Sequence, residues 1–155
     1  MTLLNAPEYD ARKEKTKIAA IVGSASTVVL LILLTLAGYV MGHGWLFTNL
    51  PAEHKVDKFF TALEAKDYAK AYDLYTNGHP TDYSLQRFTE DWTTESPVGG
   101  PIRSHHVDIS KTDGSGNFGT GIIVAVRIND TKKLFMWYQK SDGTLTEPAP
   151  HEIQY

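Results

Sequence analysis

The chain has 155 residues, a net charge of −3 and no cysteine. That length holds one ordinary domain plus an appendage rather than two full domains. The missing cysteines exclude disulfides, thiolate metal sites, iron–sulfur clusters, cysteine nucleophiles and cysteine-linked lipid, and the charge balance excludes a strongly basic nucleic-acid binder.

The mean hydropathy of −0.26 averages two unlike parts. Residues 1–17 read as a short polar tail. Ile18 to Gly42 follows, 25 residues without a charge or a histidine, and no Asp, Glu, Lys or Arg appears before Glu53. As a helix this run would be roughly 38 Å long, enough to cross a hydrocarbon core of about 30 Å with some tilt. A cleaved signal peptide would have an apolar stretch of about 7–15 residues and small residues at its exit. Here the exit is Tyr39-Val-Met-Gly-His-Gly-Trp-Leu-Phe47, bulky and aromatic, so the segment is predicted to be an uncleaved anchor.

Flanking cations set its direction. Arg12, Lys13, Lys15 and Lys17 precede the run, whereas the first cations after it are Lys55 and Lys58. The expectation is a single-pass protein of a cell inner membrane, with a cytoplasmic N-terminus and a periplasmic or extracellular C-terminal domain. Tyr39, Trp45 and Phe47 would lie at the outer interface. Gly38 and Gly42 form a GxxxG pair, and Ala19, Gly23 and Thr27 form a second small-residue line. Such spacing admits a close helix partner, so Ala19, Gly23, Gly38 and Gly42 are the candidate helix contacts.

Residues 43–50 read as a linker and 51–155 as an α+β domain, with 11 Lys and Arg against 15 Asp and Glu. Val56, Phe59, Phe60 and Leu63 make the stripe of an amphipathic helix. Asp67 caps a second helix carrying Tyr68, Ala71, Tyr72 and Tyr75, which Asn77-Gly78-His79-Pro80 ends. Leu85, Phe88 and Trp92 mark a third, closed before Pro97-Val-Gly-Gly-Pro101. Antiparallel strands are expected at Ile102–Ser110, Phe118–Ile128 and Leu134–Lys140, with a short one at Leu145–Thr146. Turns separate them at 112–117, 129–131 and 141–143, and Pro148 and Pro150 limit the last strand. Helices followed by strands predict two or three helices packed on one face of a curved antiparallel sheet.

The stretch Val56-Asp-Lys-Phe-Phe-Thr-Ala-Leu-Glu-Ala-Lys-Asp-Tyr-Ala-Lys-Ala-Tyr-Asp-Leu-Tyr75 resembles the opening of the nuclear transport factor two-like superfamily. The whole layout is similar to membrane-anchored bacterial members and to the cytochrome oxidase assembly factor one family. The resemblance implies a cone-shaped α+β fold in which Phe59, Phe60 and Leu63 pack on the sheet and Tyr72 fills the mouth. Enzymes of that superfamily hold an Asp–His or Tyr–Asp pair inside the cone, and His105, His106, Asp108, Tyr72 and Tyr138 are the residues to weigh.

Strand alternation places His106 and Asp108 on one face and His105 and Val107 on the other. With Val107 and Ile109 inward, His106 and Asp108 face solvent, so no catalytic residue is assigned. Adjacent histidines point apart, and His54, His79 and His151 are scattered, so no metal or cofactor is expected. The loop Asp113-Gly-Ser-Gly-Asn117 lacks a calcium-ligand series and reads as a hairpin turn. Leu134 to Tyr138 is apolar on both faces. One face can pack on helices, leaving the other for a partner or for the C-terminal segment folding back. Tyr72, Trp92, Phe135, Trp137 and Tyr138 are the candidate partner or ligand surface.

Three readings of function follow. The leading one is a non-catalytic accessory or assembly subunit of a larger membrane complex, such as a respiratory or energy-transducing one, in contact with the bilayer and with other membrane proteins. The second is a sensor holding a small-molecule ligand between helices and sheet, with Tyr72, Trp92 and Tyr138 lining the cavity. The third is a hydrolase or isomerase, which needs a buried acid or base. Nucleic acid is not an expected partner.

Overall fold

The computed structural model describes residues 10–93, 100–113, 120–130 and 132–146. The predicted turn over 114–117, the strand start at Phe118, the helix stop at 97–99, Thr131, Pro148, Pro150, His151 and the C-terminal segment lie outside them.

Helix α1 spans Ala11–Val40 and starts well before Ile18, because the Asp10 side chain accepts from the Arg12 and Lys13 N–H groups and caps it. It is long and apolar enough to cross a membrane, and none of its most apolar window is covered by the rest of the chain. Gly42 lies beyond the helix, with φ at +77°. A short 3-10 turn, Trp45–Phe47, then folds back along α1.

Three helices follow. Helix α2, Leu50–Glu64, carries Pro51 in its first turn, where a missing N–H costs nothing. Its inward stripe buries Ala52, Val56, Phe59, Phe60 and Leu63. Helix α3, Tyr68–Thr76, begins where the Asp67 carboxylate accepts from Lys70 N–H and ends at Asn77 in the left-handed region. Helix α4 spans Leu85–Thr93 and buries Phe88 and Trp92. Predicted and observed helices agree closely, since each has a clear apolar period.

The sheet is a four-stranded antiparallel meander, ordered β1-β2-β3-β4. Its strands are β1 His105–Asp113, β2 Gly121–Ile128, β3 Lys132–Gln139 and β4 Leu145–Thr146. The inner face presents Ile122, Val124, Val126, Ile128, Leu134, Met136 and Leu145 to the helices. Between the layers Phe59, Phe60, Phe88 and Trp92 meet largely edge to face, with Phe59 5.1 Å from both Phe60 and Trp92. This geometry suits ring quadrupoles and fills the space between helices and sheet.

The expected inward pair Val107 and Ile109 is split. Val107 opposes Val126 and Ile109 opposes Ala125, so Asp108 is an extra residue in β1. This bulge reverses the phase of everything after it. Val107 packs on the core, Ile109 turns out and is 44% exposed, and Ser110 turns in.

Candidate functional site

The richest polar chemistry gathers where the apolar helix enters the domain. Glu53 sits on the inward stripe of α2, three residues before Val56, and is buried. Its Oε2 lies 2.9 Å from His43 Nδ1, and its Oε1 accepts from the Ser110 hydroxyl that the β1 bulge has turned inward. Ser110 N–H donates to Gly42 O at 2.8 Å, which fastens the helix exit to β1. Beside this network Asn49 is fully buried and accepts from the Thr112 hydroxyl at 3.0 Å, while Gly44 leaves room for its amide. The carboxylate stands between hydroxyl and imidazole, whereas a serine relay needs the imidazole to take the serine proton. This geometry ties the helix exit, α2 and β1 together.

A second histidine–carboxylate group links α2 to β1. His105 Nδ1 lies 2.6 Å from Glu64 and Nε2 3.1 Å from Asp57, two carboxylates about two turns apart on one face of α2, and the ring rests on Phe60. Each nitrogen faces a different carboxylate, so the three groups do not converge on a single point as metal ligands must. Among the described residues no group of three or more His, Asp or Glu could hold a metal ion. His106 is exposed with its Nε2 3.7 Å from Asp108, and Asp108 is held more closely by Arg127, whose guanidinium Nε and Nη2 reach it at 2.7–2.9 Å. That hydrogen bond raises the Arg127 pKa further above its ordinary value.

Glu53, His43, Asn49 and Ser110 are not among the site residues that the sequence pattern singles out. One signal was available: a carboxylate on the apolar stripe of α2 must find a buried partner. The partners themselves lie 10 and 57 residues away along the chain, on a turn and a strand.

The candidate helix contacts divide into two sets. Gly38 is buried by the chain's own turn, since a Cβ there would stand 2.6 Å from Gly44 O and 3.0 Å from Phe47 N. Gly42 packs on Ile109 and is not on the helix. Both glycines are therefore accounted for within the chain. Ala19 and Gly23 lie on the bare part of α1, and nothing comes within 4 Å of a Cβ at Gly23.

The candidate surface aromatics mostly turn out to be interior. Trp92 is in the core, Tyr138 packs against it, and Tyr72 is half-buried with its hydroxyl donating to Tyr83 O at 2.6 Å. Trp137 is on the outer sheet face but buried, because its indole lies over Gly121 and its Nε1 donates to Gln139. Gly121 is the residue type this requires, as any Cβ would meet the indole ring. Phe135 is half-buried and lines a depression of about 450 Å³ with Asp108, Ile109, Ala125 and Lys133.

A scan against protein-family models, a search of curated proteins and a search of solved structures each found no match to the chain.

Proposed function

We propose that the protein is a single-pass anchor of a cell inner membrane, cytoplasmic at its N-terminus. Its C-terminal domain acts, without catalysis, as an accessory or assembly subunit of a larger membrane complex, such as an energy-transducing one. The observation that supports this is α1 itself. Its most apolar window is wholly uncovered by the domain, so it needs lipid or another helix as its environment. The basic residues Arg12, Lys13, Lys15 and Lys17 stand at one end only, in keeping with the orientation. The uncovered small-residue line at Ala19 and Gly23 is where a partner helix could approach. The resemblance to membrane-anchored nuclear transport factor two-like domains is part of the same proposal.

Purification of the intact chain in mild detergent, with mass spectrometry of what accompanies it, tests the reading. A defined membrane-protein partner in constant ratio is the expected result. A sharp monomer without one would count against it, and N-terminal lysines reactive to an impermeant reagent from outside would reverse the orientation.

A further inference from the structure

The domain does not swing free of the helix that precedes it, and the way it is fastened gathers a particular set of apolar side chains around the helix exit. The indole N–H of Trp45 donates to Thr35 Oγ1 at 3.1 Å. Thr35 stands five residues before the helix end at Val40, roughly 7–8 Å lower at the helical rise per residue. Trp45 thus folds back beside the last turns of α1 while remaining 68% exposed. Leu46 follows it, also exposed.

The sheet meets the chain just above, at the helix exit. Ser110 donates to Gly42 O, and the Ile109 side chain lies so close to Gly42 that a Cβ there would meet its Cγ2 at 2.7 Å. Ile109 is a large apolar side chain that the β1 bulge directs out of the core, and it remains exposed. Tyr39, Val40, Met41, Trp45, Leu46 and Ile109 are all exposed and make an apolar collar at the helix exit. No Asp, Glu, Lys or Arg lies between residues 18 and 52 to interrupt it. The exposed Lys111 is the next outward position on β1.

A hydrocarbon core takes about 20 helical residues, which from Ile18 reaches Ala37. Gly42, and Ile109 with it, then falls in the headgroup and upper acyl zone, into which apolar faces of surface-bound elements sink by about 5–10 Å. We infer that the collar is a lipid-seating surface: the domain rests on the bilayer, with Trp45, Leu46 and Ile109 inserted at the headgroup–acyl boundary and Lys111 at phosphate level. The occupant is the bilayer because Tyr39 to Leu46 continue the uncharged apolar helix and Ile109 packs on Gly42 at its exit; the charges beside Ile109, Asp108 and Lys133, then face the headgroups. The inference rests on the reading of α1 as a membrane anchor.

The absence of cysteine makes the test direct. Full-length Ile109→Cys and Ala69→Cys chains, each carrying one environment-sensitive fluorophore, are reconstituted in phosphatidylcholine vesicles containing lipid brominated at a shallow acyl position. Ala69 is exposed on α3, in the layer on the other side of the sheet. Expected is a blue-shifted label at 109 that loses emission to brominated lipid, and a label at 69 that is quenched by aqueous iodide alone. Equal iodide quenching at both positions would overturn the inference, because the domain would then stand clear of the membrane. Protection of 109 from both quenchers would also overturn it, showing a second copy in the place of lipid. Release of the chain by alkaline carbonate would remove the anchor reading and this inference together, whereas an integral chain with a wet position 109 removes this inference alone.

Discussion

The Glu53 carboxylate lies 2.9 Å from His43 Nδ1, so a residue of the first domain helix holds the first histidine after the membrane-length helix. Its other oxygen is taken by Ser110. Glu53→Ala takes the charged acceptor from an imidazole and from a buried hydroxyl, leaving the latter only the Gly42 carbonyl at 3.3 Å, and should cost about 3 kcal/mol. Glu53→Gln keeps an acceptor for Ser110 and should cost about 1 kcal/mol. Thermal unfolding of the solubilised chain, followed by circular dichroism, measures both. Equal stabilities of the two variants and the parent would mean that the joint contributes nothing to folding.

Gly38 and Gly23 should respond oppositely to added bulk. Gly38→Ala drives a methyl into backbone atoms of the folded-back turn and should cost about 1–3 kcal/mol, with faster proteolysis across residues 43–48. Gly23→Leu meets nothing within the chain and should leave its stability unchanged. If the proposed partner helix docks there, the same substitution removes the partner from the purified complex. Retention of the partner would place its contact elsewhere.

Phe88 is fully buried and has ring contacts with Phe59, Tyr72, Tyr75, Tyr83 and Trp92. Phe88→Ala should destabilise the domain by about 3–5 kcal/mol, and Phe88→Leu by considerably less, because only the larger truncation opens a cavity. Urea titration of the two variants gives the comparison.

The turn between β3 and β4 supplies a pH dependence. Hydrogen bonds from Thr144 N–H at 2.9 Å and from the Thr144 hydroxyl at 2.8 Å hold the Asp142 carboxyl below its ordinary value of 3.8. The folded value is the lower one, so the stabilisation is complete above pH 3.8 and is lost as pH falls through the folded value. Asp142 is exposed, which limits the effect to less than about 1 kcal/mol. Asp142→Ala should therefore be slightly less stable than the parent at pH 6 and indistinguishable from it at the acid end, in urea midpoints taken across that range.

The helices could be read from sequence because their evidence is local. Val56, Phe59, Phe60 and Leu63 repeat with the helical period, Asp67 caps, and Asn77 stops. Strand β4 at Leu145–Thr146 is legible in the same way, because Ser141-Asp-Gly143 announces its turn. The bulge at Asp108 leaves no such trace. One extra residue changes neither composition nor alternation, yet it decides that Ile109 faces out and Ser110 faces in. Helix α1 extends seven residues ahead of the charge-free run, because the cap at Asp10 starts it among Lys and Arg residues that are good helix formers. The Glu53 network has no local signature for a different reason. Its members come from a turn, a helix and a strand, and only the folded chain makes them neighbours.

The folded exit from α1 also limits how far the domain can travel. Residues 41–49 separate α1 from α2. As a flexible tether, a segment of that length would span on average roughly 16 Å, giving the domain a hemisphere to search. Tied down by Trp45 to Thr35, Gly42 to Ser110 and His43 to Glu53, it has no slack to pay out. With the helix anchored as proposed, the domain explores the plane of the membrane and not the volume above it. A partner must then meet it by lateral diffusion at a fixed height and azimuth, and lengthening this segment with flexible residues would trade that orientation for reach.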